Sequence, residues 1–201
     1  MRGEELTPWS VRYGYEHGAF PMTDEDGEVN WYQPYQRCLF PIEGIHVSRS
    51  LAKVIRQGRF EIRFDTAFEE VMWNCFRSEE EGNWLSPHFV RCYTQIHLDG
   101  WAHSCECWRE GRLVGGVYGL ALGSAFCAES MFHRETDASK VALWAMVEKC
   151  RELGFTIFDA QIMNPHLASL GAFEIPNREY LRRLKVALRQ RTPWSAGTSS
   201  R

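Results

Sequence analysis

No stretch of the sequence approaches the roughly 20 consecutive apolar residues that a bilayer-spanning helix needs. Its opening, MRGEELTPWS, also lacks the basic-then-apolar layout of a signal peptide. A cytoplasmic protein with no membrane partner is therefore expected. Internal repeats are absent, and the only biased tract is the closing RTPWSAGTSSR, whose Ser, Gly and Thr content suggests a frayed tail. The cysteines number seven, an odd count that fits reduced thiols better than a disulfide framework. Cys105 and Cys107 share one face of an apparent strand but lack the spacing and partner pair of a zinc site, so no metal is expected. Charge of one sign is lacking too. A net charge of −3 argues against binding nucleic acid over the whole surface, and leaves room for a local patch. One lies in RSLAKVIRQGRFEIR, where Arg49, Lys53, Arg56, Arg59 and Arg63 outnumber the single acid Glu61.

What is present is ordinary for a globular chain: 44% hydrophobic and 24% charged residues decide against wholesale disorder. A length of 201 residues can bury a core as one large domain, or as one domain with a small accessory unit. Residues 1–35 are rich in aromatics and turn formers, with a short helix closed near Gly18 and a turn at TDEDGE, and are assigned to a small N-terminal α+β domain. Residues 36–190 form the main domain and 191–201 a flexible tail. A monomer is the default.

Within the main domain a helix is predicted from Ser48 to Gln57, capped by Ser48 or Ser50, then a strand from Phe60 to Phe64. DTAFEEVMWNCFR carries Phe68, Val71, Met72 and Cys75 at helical spacing. SPHFVRCYTQIHLDG reads as a helix with Ser86 as cap, Pro87 in the first turn and Gly100 as terminator. The period then changes to two. Ala102–Trp108 and Leu113–Leu122 flank the hairpin signal REGR, and Ala125–Phe132 makes a third strand. ETDASKVALWAMVEKCRELG is the clearest helix, with Leu143, Met146, Val147 and Cys150 in one stripe and Gly154 ending it. A strand from Thr156 to Ile162 and a basic helix in IPNREYLRRLKVALRQ follow. Strands before a crossover helix and a further strand indicate an α+β fold with a mixed sheet.

That last strand poses a problem. Strict alternation sends Ile157, Asp159 and Gln161 to one face and Phe158, Ala160 and Ile162 to the other, and both faces look buried. A carboxylate and an amide in an apolar layer cost several kcal/mol unless something satisfies them, on the order of the ~2–7 kcal/mol of an unpaired polar group.

The segments GAFPM, HVSRSL, AHSCECW, LVGGVYGLALG, FCAESMF, DASKVAL, FDAQ, HLASLGAFEIP and YL occur in this order between Gly18 and Leu184. In these motifs the chain resembles the leucyl/phenylalanyl-tRNA–protein transferases, bacterial enzymes of the N-degron pathway. The resemblance implies a C-terminal domain with an acyl-CoA N-acyltransferase-like (GNAT-like) fold behind a small family-specific N-terminal domain. It implies transfer of leucine or phenylalanine, with methionine as a further candidate donor, from aminoacyl-tRNA to proteins beginning with Arg or Lys, without a cofactor. It also puts the family's catalytic Asp and Gln on Asp159 and Gln161. Two departures bear on the small domain's contacts with the tRNA terminus: QPYQR keeps Pro34 and Arg37 of a Ser-Pro-Asp-Pro-Arg stretch but loses its acid, and Met22 replaces an aromatic residue.

For that chemistry, Asp159 and Gln161 are expected to grip one small polar group side by side, Asp159 orienting the Gln161 amide. Glu129, expected on one strand face with Cys127 and Met131, adds negative charge for the acceptor's amine or basic side chain. Candidate walls of an aminoacyl slot are Val117, Met131, Leu143, Met146 and Phe158. Arg49, Lys53 and Arg56 make a phosphate footprint for tRNA, and Trp84 is placed to stack on adenine or the aminoacyl group. Gly115, Gly116, Gly119 and Gly123 mark either curvature or a strand edge against which a ligand lies. His103 and His166 are weaker base candidates, set among apolar or turn residues. Two rival readings are an acetyl-CoA-dependent N-acyltransferase, disfavoured because the loop HRETDAS has no glycine to cradle pyrophosphate, and a non-catalytic tRNA-binding module.

Overall fold

The computed structural model describes residues 6–23, 28–76 and 87–194. The first helix, α1 (Pro8–Glu16), opens with a reciprocal cap: the Thr7 hydroxyl accepts from the Ser10 backbone N–H, and the Ser10 hydroxyl accepts from that of Thr7. Two short strands, β1 (Phe20–Thr23) and β2 (Val29–Tyr32), pair antiparallel and supply the strand part of the N-terminal region expected to be α+β, whose strand limits the sequence leaves open. Next come β3 (Gln36–Phe40), α2 (Arg49–Arg56), β4 (Glu61–Phe64), α3 (Phe68–Asn74) and α4 (Pro87–Leu98). Ser48 caps α2 as expected, accepting from the Leu51 N–H at 3.2 Å. The expected cap Ser86, and Trp84, lie outside the described residues.

The hairpin of β5 (Ala102–Arg109) and β6 (Arg112–Leu122) turns through Glu110 and Gly111, both at positive φ, the geometry that matches the twist of paired strands. Then follow β7 (Ala125–His133), α5 (Ala138–Leu153), β8 (Ile157–Gln161), α6 (Pro165–Ser169), β9 (Phe173–Pro176) and α7 (Asn177–Ala187). Among the described residues, seven strands form one mixed sheet in the order β4-β5-β6-β7-β8-β3-β9, in which β7 and β8 run parallel and the other neighbours antiparallel. The α+β fold with a mixed sheet read from the sequence is the fold observed. No helix among the described residues is long and apolar enough to cross a membrane.

One face of the sheet packs under α2 and α5 through Phe40, Val117, Phe126, Met146 and Phe158. The other packs under α1, α3 and α4 through Tyr15, Phe20, Val71, Tyr93 and Leu120, with α7 closing over its β8-β3-β9 end through Tyr180 and Leu184. All seven cysteines are buried, and none is joined in a disulfide. The glycines of β6 serve packing. A Cβ on Gly115 would lie 2.5 Å from that of Ala138, and one on Gly119 would lie 2.4 Å from the Cys127 carbonyl oxygen, so protein fills the space where a ligand was considered. Trp194, in the stretch expected to fray, stacks on His103 at 4.1 Å and donates to Asp65 at 2.8 Å.

The sequence reading missed β3, and β3 joins the two parts of the chain. It enters the large sheet between β8 and β9 and carries Arg37, a guanidinium with no exposed surface. Arg37 donates through Nε and Nη2 to both carboxylate oxygens of Asp159 on β8, at 2.6–3.0 Å, and through Nη1 to the carbonyl of Gly18 at 3.1 Å. Phe20 and Tyr180 cover its two sides at 4.8 and 4.5 Å. Burial alone would lower the Arg37 pKa, but the Asp159 charge holds it above the ordinary guanidinium value. Replacing one member strands the other's charge in a dry layer. Arg37→Met is therefore expected to destabilise by about 3–5 kcal/mol in urea unfolding, and Arg37→Met/Asp159→Leu by less than the sum of the two single losses. Additive losses would count against the coupling.

Candidate active site

Two extra residues on neighbouring strands make the site. The pairing of β6 with β7 runs Tyr118 to Ser130 and Gly119 to Ala128, leaving Glu129 unpaired as a bulge. The pairing of β3 with β8 runs Leu39 to Asp159 and Cys38 to Gln161, leaving Ala160 unpaired in the same way. Gly119, opposite the first bulge, gives the Cys127 carbonyl the room that a Cβ would take. Beyond the Cys127–Asp159 pair no further residue pairs join β7 and β8, and a cavity of about 230 Å³ lies beside the middle of β7 and the end of β8.

Its lining joins apolar and polar parts. Phe40, Val117, Met131, Leu143, Ala160 and Leu167 form apolar wall, with Met22 contributed by β1, while Glu129, Gln161 and Asn164 supply polar groups. Of the slot residues expected from sequence, Val117, Met131 and Leu143 line the cavity. Met146 and Phe158 do not: both are fully buried behind it, Phe158 packed on Phe126 at 5.1 Å and Phe40 at 6.1 Å. Period-two counting also put Cys127, Glu129 and Met131 on one face. The bulge breaks that parity, and Cys127 packs into the α1–α4 side while Met131 packs toward α5.

The expected clasp of Asp159 and Gln161 around one ligand is not the arrangement found. Asp159 has no exposed surface and does not line the cavity; Arg37, the Tyr180 hydroxyl at 2.7 Å and the Gln161 backbone N–H at 2.8 Å satisfy its carboxylate. The reason is again an extra residue, Ala160, which takes Gln161 out of register with Asp159. Gln161 has φ +64°, a left-handed conformation that costs a non-glycine residue about 1–2 kcal/mol, and its bonded N–H holds it there. Asp159 thus orients the backbone of Gln161 rather than its amide.

The Gln161 side chain has other partners. Its Nε2 donates to the Tyr15 hydroxyl at 3.0 Å and lies 3.4 Å from Glu129 Oε1. Tyr15, reaching in from α1, donates in turn to Glu129, and the Tyr93 hydroxyl lies 3.4 Å from the other Glu129 oxygen. Because the amide nitrogen is engaged, the Gln161 Oε1 acceptor is left for a guest. Asn164 is the converse case: its Oδ1 caps α6 by accepting from the Leu167 N–H, which leaves its amide donor available. Enclosure of the Glu129 carboxyl raises its pKa to about 7, with the Asp159 charge adding to the rise and bonds from Tyr15 and Gln161 opposing it. Burial and the Glu129 charge together keep Tyr15 protonated.

Sequence reasoning missed Tyr15, Tyr93, Phe40, Asn164 and Arg37. Only the resemblance around QPYQR and the aromatic-rich start pointed toward two of them. Arg49, Lys53 and Arg56 are exposed on α2 and make no ion pair among the described residues. His103 lies away from the cavity, 2.9 Å from Asp65, and His166 is exposed on α6. Asp65, His97 and His103 bring possible metal-ligating atoms within 4.8 Å of one another, but the Asp65 oxygens already accept from the Ser104 N–H, from Trp194 and at His103.

The raised Glu129 pKa has a consequence for stability. The folded state binds this proton more tightly than the unfolded chain, whose carboxyl titrates near the ordinary 4.5. Its stabilising contribution is therefore complete below pH 4.5 and lost as pH rises through about 7, about 3 kcal/mol at most at 1.36 kcal/mol per pKa unit. Glu129→Gln is expected to flatten the unfolding free energy over that interval; an unchanged slope in denaturant titrations at several pH values would contradict the assignment.

Comparison with known proteins gives the family. The family described as leucyl/phenylalanyl-tRNA protein transferase matches residues 39–185, and its N-terminal domain matches residues 4–34. A leucyl/phenylalanyl-tRNA–protein transferase of Herpetosiphon aurantiacus is 50% identical over 186 residues, covering 92% of this chain and 96% of that protein. Those of Chlorobaculum parvum and Novosphingobium aromaticivorans are 50% and 48% identical, covering 87% and 96% of this chain and 91% and 73% of their own lengths. The chain belongs to the leucyl/phenylalanyl-tRNA–protein transferase family.

Proposed function

We propose that the chain transfers leucine or phenylalanine from aminoacyl-tRNA to the α-amine of proteins whose first residue is Arg or Lys, marking them for N-degron degradation. The observation that carries the reading is the cavity between β7 and β8, where an apolar slot meets the Glu129–Tyr15–Gln161 chain of hydrogen bonds. Leucine and phenylalanine are unbranched at Cβ and suit a slot with room at the γ position. Met22 and Met131 let one slot take an aliphatic or an aromatic guest.

The reaction joins an amine to an activated ester. The amine nitrogen attacks the ester carbonyl, an amide bond forms, the ester C–O bond breaks and the terminal ribose hydroxyl leaves with a proton. With an α-amino pKa of about 7.7–8.0, roughly a tenth of the acceptor is neutral near pH 7, so positioning supplies most of the acceleration, on the order of 7–11 kcal/mol. Gln161 Oε1 accepts an amine N–H and aims the lone pair, while the Asn164 amide donates to the carbonyl oxygen as charge develops on it. Glu129, charged above pH about 7, attracts the cationic acceptor. Asp159 and Arg37 act on Gln161 and are positioning residues. The exposed cations of α2 suit tRNA phosphates, which supply affinity without reading sequence.

The test incubates the protein with leucyl- or phenylalanyl-tRNA and a peptide beginning with arginine. A gain of one leucyl or phenylalanyl residue on the peptide is expected, whereas retention of tRNA with an unmodified peptide would leave only a binding module. Gln161→Ala should lower kcat/KM by about 10², the scale of lost positioning. Leu143→Trp, which fills the slot, should lose phenylalanine transfer before leucine transfer.

A further inference from the structure

A row of side chains leads across the sheet from the cavity to a carboxylate that the reaction has not used. Gln161 of β8 stands opposite Cys38 of β3, and Cys38 stands opposite Glu174 of β9. Two interstrand spacings, about 10 Å, separate the ends of this row. Directly opposed residues project to the same side. Cys38 and Phe40 belong to the layer under α5, and Phe40 lines the cavity, so Glu174 faces the side on which the cavity opens. The Glu174 charge reaches Cys38, whose thiol is pushed up to about 12 by burial first, then by Asp159 and Glu174.

Glu61, Glu135, Glu148 and Glu179 each sit against a guanidinium, whereas Glu174 is exposed and has no ion pair among the described residues. The chain just past Gln161 is apolar. Ile162 is 48% exposed, and Met163 lies across the row with its sulfur 3.9 Å from that of Cys38. An apolar shelf about 10 Å long, with a hydrogen-bond acceptor at one end and a free carboxylate at the other, matches a long side chain that has methylenes in its stem and a cation at its tip.

We propose that Glu174 sets the preference for a basic first residue in the acceptor protein. With the α-amine at Gln161, the stem of Arg or Lys lies over Met163 and Ile162, and its guanidinium or ammonium group meets Glu174. The inference rests on the functional reading above and deepens it. Because the contact is solvent-exposed, its contribution is modest, about tenfold in kcat/KM.

The experiment compares the unmodified protein with Glu174→Gln, using leucyl-tRNA and three peptides that begin with arginine, lysine or citrulline, the neutral near-isostere of arginine. In the variant, kcat/KM for the arginine and lysine peptides should fall about tenfold while the citrulline peptide and the KM for leucyl-tRNA stay unchanged; Glu174→Lys should lower the basic peptides further. Retention of the full arginine-to-citrulline ratio in Glu174→Gln overturns the proposal and leaves transfer itself standing. Equal use of arginine and citrulline peptides by the unmodified protein does the same. If the unmodified protein adds leucine to no peptide, the functional reading fails and this inference fails with it.

Discussion

The ion pair of Arg37 and Asp159 is the contact on which the rest of the site depends. Removing both charges from water is expensive, and the attraction between them offsets this only because the geometry is bidentate and every remaining lone pair is used. A hydrophobic pair of the same volume would hold the sheet together as well. It would not fix the Gly18 carbonyl, the Tyr180 hydroxyl and the Gln161 N–H at one point. Those three contacts set the entry of the N-terminal segment, the seat of α7 and the left-handed turn at Gln161. The pair specifies position more than it adds stability.

From that point outward the site is assembled from distant parts of the chain. Tyr15 of α1 and Met22 of β1 come from the beginning, Glu129 from the middle of the sheet, and Gln161 and Asn164 from the end of β8 and the start of α6. The N-terminal segment therefore helps to build the cavity rather than standing apart as an appendage. Its Tyr15 hydroxyl also decides which end of the Gln161 amide faces a guest, because a phenol that donates to Glu129 can only accept from Gln161.

Much of this was readable from the sequence. Ser48, Gly100, Gly154 and the Glu110–Gly111 turn sit where backbone chemistry puts them, and the α5 stripe is buried as its spacing requires. The ordered motifs identified the family. What escaped was whatever broke period or hid charge. β3 does not read as a strand because its second residue is an arginine, and a buried arginine is intelligible only once its carboxylate is known. The faces of β7 and β8 were misassigned because alternation holds only while partners match one to one, and each strand has one residue too many. Asp159 and Gln161 were rightly singled out as anomalous, yet their relation was inverted: the carboxylate serves the backbone, and the amide alone meets the cavity.

The paired bulges also bear on how such a protein can change. Deleting Glu129 or Ala160 would let the sheet heal into an unbroken ladder, and the gap beside the cavity would zip shut with little harm to the core. Point substitutions can retune this cavity, but indels in either strand would abolish it, so its length bookkeeping is under tighter constraint than its chemistry.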